Sequence, residues 1–269
     1  MATLPATAPA PAPVRPVPDV ALATRLEHAA LNATAVREQL LYDGWLVRWA
    51  PDEVRRVRSV NVVAPPVMPF AARFDFCRRW YARHGLPMVF RIASHGPDRE
   101  LDGQLQRAGL LRQDEVAVMA RDLSGAPQDA GPSPDFEPAD AGVFSRAVGA
   151  LRGLGPARVH EHERRLRSLA VDTVPLVARG QDGGWVAAGL AVLDDDVAGL
   201  FDIVVAPALR RRGLGRAAVV RLLAVARERG ARQAYLQVES RNEPARRLYR
   251  GYGFRDVYTY WYRTADRPA

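Results

Sequence analysis

The chain has 269 residues, 48% of them hydrophobic and 25% charged, with a net charge of +8. That is enough apolar material for a sizeable core, so wholesale disorder is excluded; at roughly 150 residues per domain, one large or two modest domains are open. All 38 basic residues are arginine, which eliminates lysine Schiff-base chemistry and the phosphate loop that ends Gly-Lys-Ser/Thr. A single cysteine, Cys77, excludes an intrachain disulfide and a multi-cysteine zinc site. No apolar run approaches membrane-spanning length, and no basic stretch followed by an apolar core opens the chain, so the expectation is a cytoplasmic protein with no membrane partner. The basic balance suits an anionic partner, either nucleic acid or a phosphorylated cofactor.

Taken in chain order, residues 1–18 carry six prolines among alanines and predict a disordered or polyproline-like tail. Residues 20–40 and 70–83 read as helices, and residues 44–49, 57–63, 88–92 and 116–120 as strands. Cys77 falls among Phe74, Phe76 and Trp80, which predicts a packing role. A Gly/Pro-rich stretch follows, and residues 122–134 are expected to form a linker. Beyond it, residues 174–178, 185–193 and 200–205 read as strands joined by turns at Gly183-Gly184 and at residues 194–196. A helix follows Gly213, with Val219, Leu222, Leu223 and Ala226 on one face, and Gly230 stops it. Residues 234–239 form a further strand. Asn242 is placed to cap a short helix with Pro244 in its first turn, and residues 257–263 make a final aromatic strand. This alternation predicts an α/β (α+β) fold of two similar units, each a mixed, mostly antiparallel sheet flanked by helices. The units are residues 19–121 and 135–269. Val62-Val63-Ala64-Pro65 repeats as Val204-Val205-Ala206-Pro207, and Glu100 and Leu105 align with Glu243 and Leu248, the pattern of a worn internal duplication.

The stretch most informative about chemistry runs from Phe201 to Arg216. A strand enters a turn holding Arg210, Arg211, Arg212, Gly213, Leu214, Gly215 and Arg216, and the turn opens a helix. Glycines let backbone approach a ligand, free N–H groups of a first helical turn attract anions, and arginine adds charge-assisted bonds to phosphate. The local prediction is a pyrophosphate cradle. Gly213-x-Gly215-x-x-Ala218 with Glu239 beyond also fits a dinucleotide fingerprint, but too few residues follow for the remaining units of such a sheet.

Arg210-x-x-Gly213-x-Gly215, followed by Asn242-x-x-Ala245-x-x-Leu248-Tyr249 and Gly253-Phe254, resembles the GNAT (Gcn5-related N-acetyltransferase) superfamily over about residues 135–265. The resemblance implies an N-acetyltransferase that moves an acetyl group from acetyl-CoA to a primary amine by direct attack, with no metal. It implies that Ile203, Val204 and Val205 splay from the neighbouring strand and pair with the pantetheine arm. Residues 210–216 would hold the pyrophosphate. Asn242, with Ala245 beside it, would contact the cofactor or fix its helix, and Tyr249 would protonate the departing thiolate. A backbone N–H of Val204 or Val205 would stabilise the oxyanion.

Many members of the superfamily place a basic glutamate where this chain has Gly199. Asp202 and Glu239 are therefore the candidate bases, although strict alternation would turn Asp202 away from the face of Gly199. His160 and His162 lie in the segment that usually meets the acceptor. The first half lacks both devices: Pro65-Pro66-Val67-Met68-Pro69 stands where the arginines and glycines would, and Gln106 where Tyr249 would. It is expected to be a degenerate half that supports the active one, a layout similar to tandem members of the superfamily. The principal alternative is a non-catalytic acyl-CoA sensor or scaffold. Nucleic-acid binding is disfavoured, because the arginines do not interleave with aromatics in a recognised module. Monomer and homodimer both remain open.

Overall fold

A computed structural model describes residues 19–50, 54–125 and 135–265; the expected tail and residues 126–134 of the expected linker lie outside these. The first half supplies α1 (Val20–Asn32), β1 (Glu38–Tyr42), β2 (Trp45–Trp49), β3 (Val60–Val62), α2 (Phe70–Arg83), β4 (Val89–Ala93), α3 (Leu101–Arg107) and β5 (Leu111–Asp122). The second supplies β6 (Glu137–Pro138), α4 (Ala141–Arg152), α5 (Pro156–Arg167), β7 (Asp172–Arg179), β8 (Trp185–Asp194), β9 (Val197–Val205), α6 (Leu214–Glu228), β10 (Gln233–Glu239), α7 (Glu243–Gly251) and β11 (Arg255–Thr264).

Two expectations need correction. The helix read over residues 20–40 stops at Asn32, and residues 38–42 are a strand. The Asp43-Gly44 pair, both at positive φ, is a two-residue hairpin turn that recruits Glu38–Tyr42 to β2 through Tyr42 opposite Trp45. The strand read over residues 57–63 shrinks to β3, preceded by a single 3₁₀ turn, Arg55–Val57.

All the strands join one mixed sheet in the order β1-β2-β3-β4-β11-β5-β10-β9-β8-β7-β6. The repeat reappears at the level of elements. Phe70 and Leu214 open corresponding helices 144 residues apart, and Leu111 and Arg255 open corresponding strands, also 144 apart. Each half also contains one parallel strand pair, β3 with β4 and β9 with β10. The last strand of each half, however, sits in the other. β5 is hydrogen-bonded between β10 and β11, and β11 between β4 and β5. The sheet is therefore continuous across the junction, with Tyr260 opposite both Ala93 and Val116.

Helix α6 packs its apolar face on β8 and β9 and builds the largest core, around Val219, Leu222 and Leu236. On the opposite face, α4 covers β8 through Phe144, Val148 and Leu190 with α5 packed against α4, and α1 lies across β9 and β11. A separate core under α2 holds Trp45, Cys77, Phe90 and Trp261. Burial there pushes the Cys77 thiol up to about 12, partly offset by Arg73, which suits packing rather than reactivity. Among the described residues no helix is long and apolar enough to cross a membrane.

Candidate active site

Strand β9 begins in parallel register with β10 and then leaves it. Val197 through Leu200 align with Gln233 through Leu236, and the pairing stops there. On its other side β9 stays paired with β8 as far as Val205 opposite Ala187. The Ala206 N–H donates to the Val186 carbonyl at 3.0 Å, and Val204 faces Ala188 two residues earlier. Antiparallel ladders alternate, so the N–H of Val204 turns into the sheet and that of Val205 into the gap. Of the two candidate oxyanion donors, the ladder leaves Val205 open.

The departure from β10 coincides with a bulge. Phe201 aligns with Leu190 and Val204 with Ala188, so Asp202 and Ile203 together oppose Gly189. Asp202 carries a φ of +49°, the extra residue's kink. Alternation is broken there. Phe201 and Asp202 both line the α5 face, whereas Ile203 and Val205 pack towards α6. Asp202 thus lies on the same face as Gly199, against the expectation from parity.

On that face the Asp202 carboxylate meets two helices. Its Oδ2 lies 3.0 Å from Nε2 of His162 on α5, and its Oδ1 2.8 Å from Nη1 of Arg152 on α4. Nδ1 of His162 lies 2.9 Å from Oγ of the buried Ser145. An ionised carboxylate only accepts, so the His162 Nε2–H donates to it. Burial pushes the Asp202 carboxyl up, but the His162 hydrogen bond and the charges of Arg152, His162 and Arg56 outweigh it and hold the carboxyl well below the usual carboxylate range. His160, two residues earlier on α5, is exposed and not among the cleft-lining residues.

A cleft of about 150 Å³ opens beside Asp202. The second half contributes Arg152, His162, Arg165 and Phe201, and the first half reaches in with Thr34 and Arg56. Arg56 stacks its guanidinium 5.5 Å from the Phe201 ring and donates to Gln237 Oε1 on β10 at 3.3 Å. Sequence reasoning missed Ser145, Arg152, Arg165 and Arg56. The helical pattern of α4 was the available signal for the first two; nothing local marks Arg56.

The loop expected to hold pyrophosphate is open. Arg210, Arg211, Arg212 and Arg216 are exposed, and Gly213 begins α6 at φ +85° with no side-chain cap and no acidic residue in the first turn. A residue with a β-carbon would be strained at that angle. Gly215 is different: a β-carbon there would meet only Val205 Cγ2 at 3.8 Å, so the protein itself does not require glycine. An uncapped, positively polarised helix end with space kept above it fits a diphosphate.

Asn242 caps α7 through Oδ1, which accepts the Ala245 N–H at 3.2 Å, so it fixes the helix. Tyr249 on α7 joins the core of Ile203, Val205 and Leu214 and meets Phe254 edge-on at 6.0 Å. Burial pushes its phenol above the usual tyrosine value. Glu239 stands apart: it is exposed, bound to Arg241 at 3.0 Å, and belongs to a different hollow with Asp114 and Glu115. The position of Gly199 is filled from outside, since a β-carbon there would lie 2.5 Å from the Phe201 ring and 2.7 Å from the Tyr235 hydroxyl.

The first half offers no such cradle. Where the loop would hold phosphate, the carboxylate of Asp43 accepts the N–H groups of Val67 at 3.0 Å and Met68 at 2.8 Å. An internal anion occupies those donors.

A parallel strand pair that opens at a bulge, followed by an Arg/Gly loop and an uncapped helix, defines the chain as a member of the GNAT superfamily. More narrowly, it belongs to the family described as "Probable histone acetyltransferase Rv0428c C-terminal", whose model matches residues 23–263. No curated protein matches the chain. Solved structures of similar fold include a GCN5-related N-acetyltransferase from Kribbella flavida, 16% identical with a TM-score of 0.67, covering 93% of this chain and 96% of that one. A tandem GNAT protein from the clavulanic acid biosynthesis pathway is 14% identical with a TM-score of 0.64, covering 95% and 91%. A GCN5-related N-acetyltransferase from Sphaerobacter thermophilus is 18% identical with a TM-score of 0.59, covering 87% and 84%. At these identities the likeness is one of fold.

Proposed function

We propose that the protein transfers the acetyl group of acetyl-CoA to a primary amine. The observation that carries this reading is the departure of β9 from β10 after Leu200, directly ahead of the Arg210–Arg216 loop. The unpaired edge of β9, at Ile203 and Val205, would take the amides of pantetheine as an added strand, and the loop would take the diphosphate.

The amine nitrogen attacks the thioester carbonyl carbon, a C–N bond forms and the C–S bond breaks. Charge on the carbonyl oxygen is met by the Val205 N–H. The amine's proton leaves to water in the cleft, because both ring nitrogens of His162 are engaged, Nε2 by Asp202 and Nδ1 by Ser145. Asp202 is too acidic to keep a proton itself, so it serves as the fixed negative charge beside the attacking amine, held in place by His162 and Arg152. The sulfur takes its proton from Tyr249, which stays protonated at neutral pH. Glu239 has no part in this scheme. We assign residues 135–269 as the catalytic unit and residues 19–121 as a degenerate unit that walls the acceptor cleft through Thr34 and Arg56.

Acetyl-CoA is expected to raise the melting temperature, since it binds the folded state alone. Release of free thiol in the presence of amines separates an enzyme from a sensor that only binds. No thermal shift at saturating acetyl-CoA would overturn both.

A further inference from the structure

We infer that the amine acceptor is a small molecule that also carries a carboxylate, of amino-acid type, rather than a basic protein tail. The inference rests on the acyltransferase reading and names the substrate class of the same site. It begins with the charge of the cleft. Its described lining contains three arginines, Arg56, Arg152 and Arg165, against one carboxylate, Asp202. Three less one leaves a net +2 from the arginines and the carboxylate. That carboxylate is already engaged at hydrogen-bonding distance by Arg152 and His162.

Unused donors point the same way. Nε of Arg56 and Nε2 of Gln237 are buried and have no partner, although the two side chains touch each other. Both are donors, and their complement is an acceptor such as a carboxylate oxygen. Arg56 lines the cleft together with Asp202 and His162, and Gln237 lies behind it on β10. An acceptor with an amine at one end and an anion at the other would meet Asp202 with the first and Arg56 with the second.

Size and long-range field agree. The cleft's roughly 150 Å³ is below the ~300–1,000 Å³ of pockets that hold drug-sized ligands. A chain of net charge +8 without a single lysine repels an arginine- and lysine-rich tail at a distance.

The test uses matched pairs. Each of the twenty amino acids and its decarboxylated amine is offered to the full chain with acetyl-CoA, alongside a histone H3 tail peptide and spermidine. Thiol release is read as kcat/KM, and thermal shift is recorded with and without acetyl-CoA. At least one amino acid should exceed its decarboxylated partner by about tenfold or more, as expected when a charge-assisted pair is lost. Arg56→Met and Arg165→Met should erase that ratio while leaving the acetyl-CoA thermal shift unchanged. Equal or better use of decarboxylated amines, of spermidine or of the H3 peptide overturns the proposal, as does an absence of response to every amino acid. Loss of the acetyl-CoA shift in the parent protein would instead sink the acyltransferase reading, with the charge preference still readable from the shifts given by the acceptors alone.

Discussion

The hydroxyl oxygen of Tyr235 lies 2.7 Å from where a β-carbon on Gly199 would stand, and the Phe201 ring lies closer still. The place that holds a basic glutamate in many relatives by superfamily is thus packed solid. Installing one should not create a base. Gly199→Ala is expected to destabilise by about 1–3 kcal/mol through overpacking, and Gly199→Glu by more, without a gain in turnover. Thermal melting checks the first expectation; a faster Gly199→Glu enzyme would contradict the second.

Tyr249 should matter to turnover and little to binding. Tyr249→Phe keeps the ring against Phe254 and removes only the hydroxyl. Loss of a positioned general acid lowers kcat by about 10²–10⁴. Affinity for acetyl-CoA, measured by calorimetry, should stay within about twofold, on the order of 0.4 kcal/mol. Because burial raises the phenol above its ordinary value, the alkaline limb of kcat should lie above the range of an ordinary tyrosine.

Gly213 and Gly215 should fail in different ways. Gly213→Val forces a β-branched residue to φ +85° and is expected to cost about 1–3 kcal/mol of stability. A β-carbon at Gly215 meets only Val205, so in Gly215→Ala the fold should hold while the thermal shift with acetyl-CoA falls. A Gly215→Ala protein with an unchanged shift would show that the loop does not cradle the coenzyme.

Asp202 gives a pH signature in stability. Its folded-state value is depressed, so its contribution is fully present above the unfolded value of about 3.9 and is lost as pH falls through the lower folded value. Urea midpoints should therefore show a destabilisation in Asp202→Asn at pH 7 that shrinks in strong acid. A difference between the two proteins that grows on acidification contradicts the assignment.

The exchange of β5 and β11 makes the halves interdependent. Residues 135–265 expressed alone would lack β5, leaving β10 with a bare edge and β11 without either neighbour. Unpaired edges and exposed Tyr258 and Tyr260 predict an aggregating fragment. Co-expression with residues 19–125 should restore soluble protein. A monomeric, cooperatively melting fragment of residues 135–265 would show that the exchange is dispensable.

Much of the site was legible from local pattern. The β9-loop-α6 sequence, the Asn242 cap and the position of Tyr249 on α7 are each set by residues within a few positions of one another, through strand alternation, glycine backbone freedom and side-chain capping. The reading faltered where distant segments compete. Residues 38–40 are as compatible with a helix as with a strand until β2 offers an edge. The face of Asp202 depends on a bulge set by pairing to β8, and alternation alone reverses it. Arg56 reaches the cleft from nearly 150 residues before Asp202.

By itself, the order of residues determined the class of fold, the Arg/Gly turn that opens α6 and the lack of such a turn in the first half, because those features arise from short-range geometry and from the absence of particular donors. Only the tertiary structure decided which strands are neighbours, which face carries Asp202, and that arginines from both halves surround it, because hydrogen-bond partners across a sheet and charges across a cleft are chosen by three-dimensional packing between segments far apart in the chain.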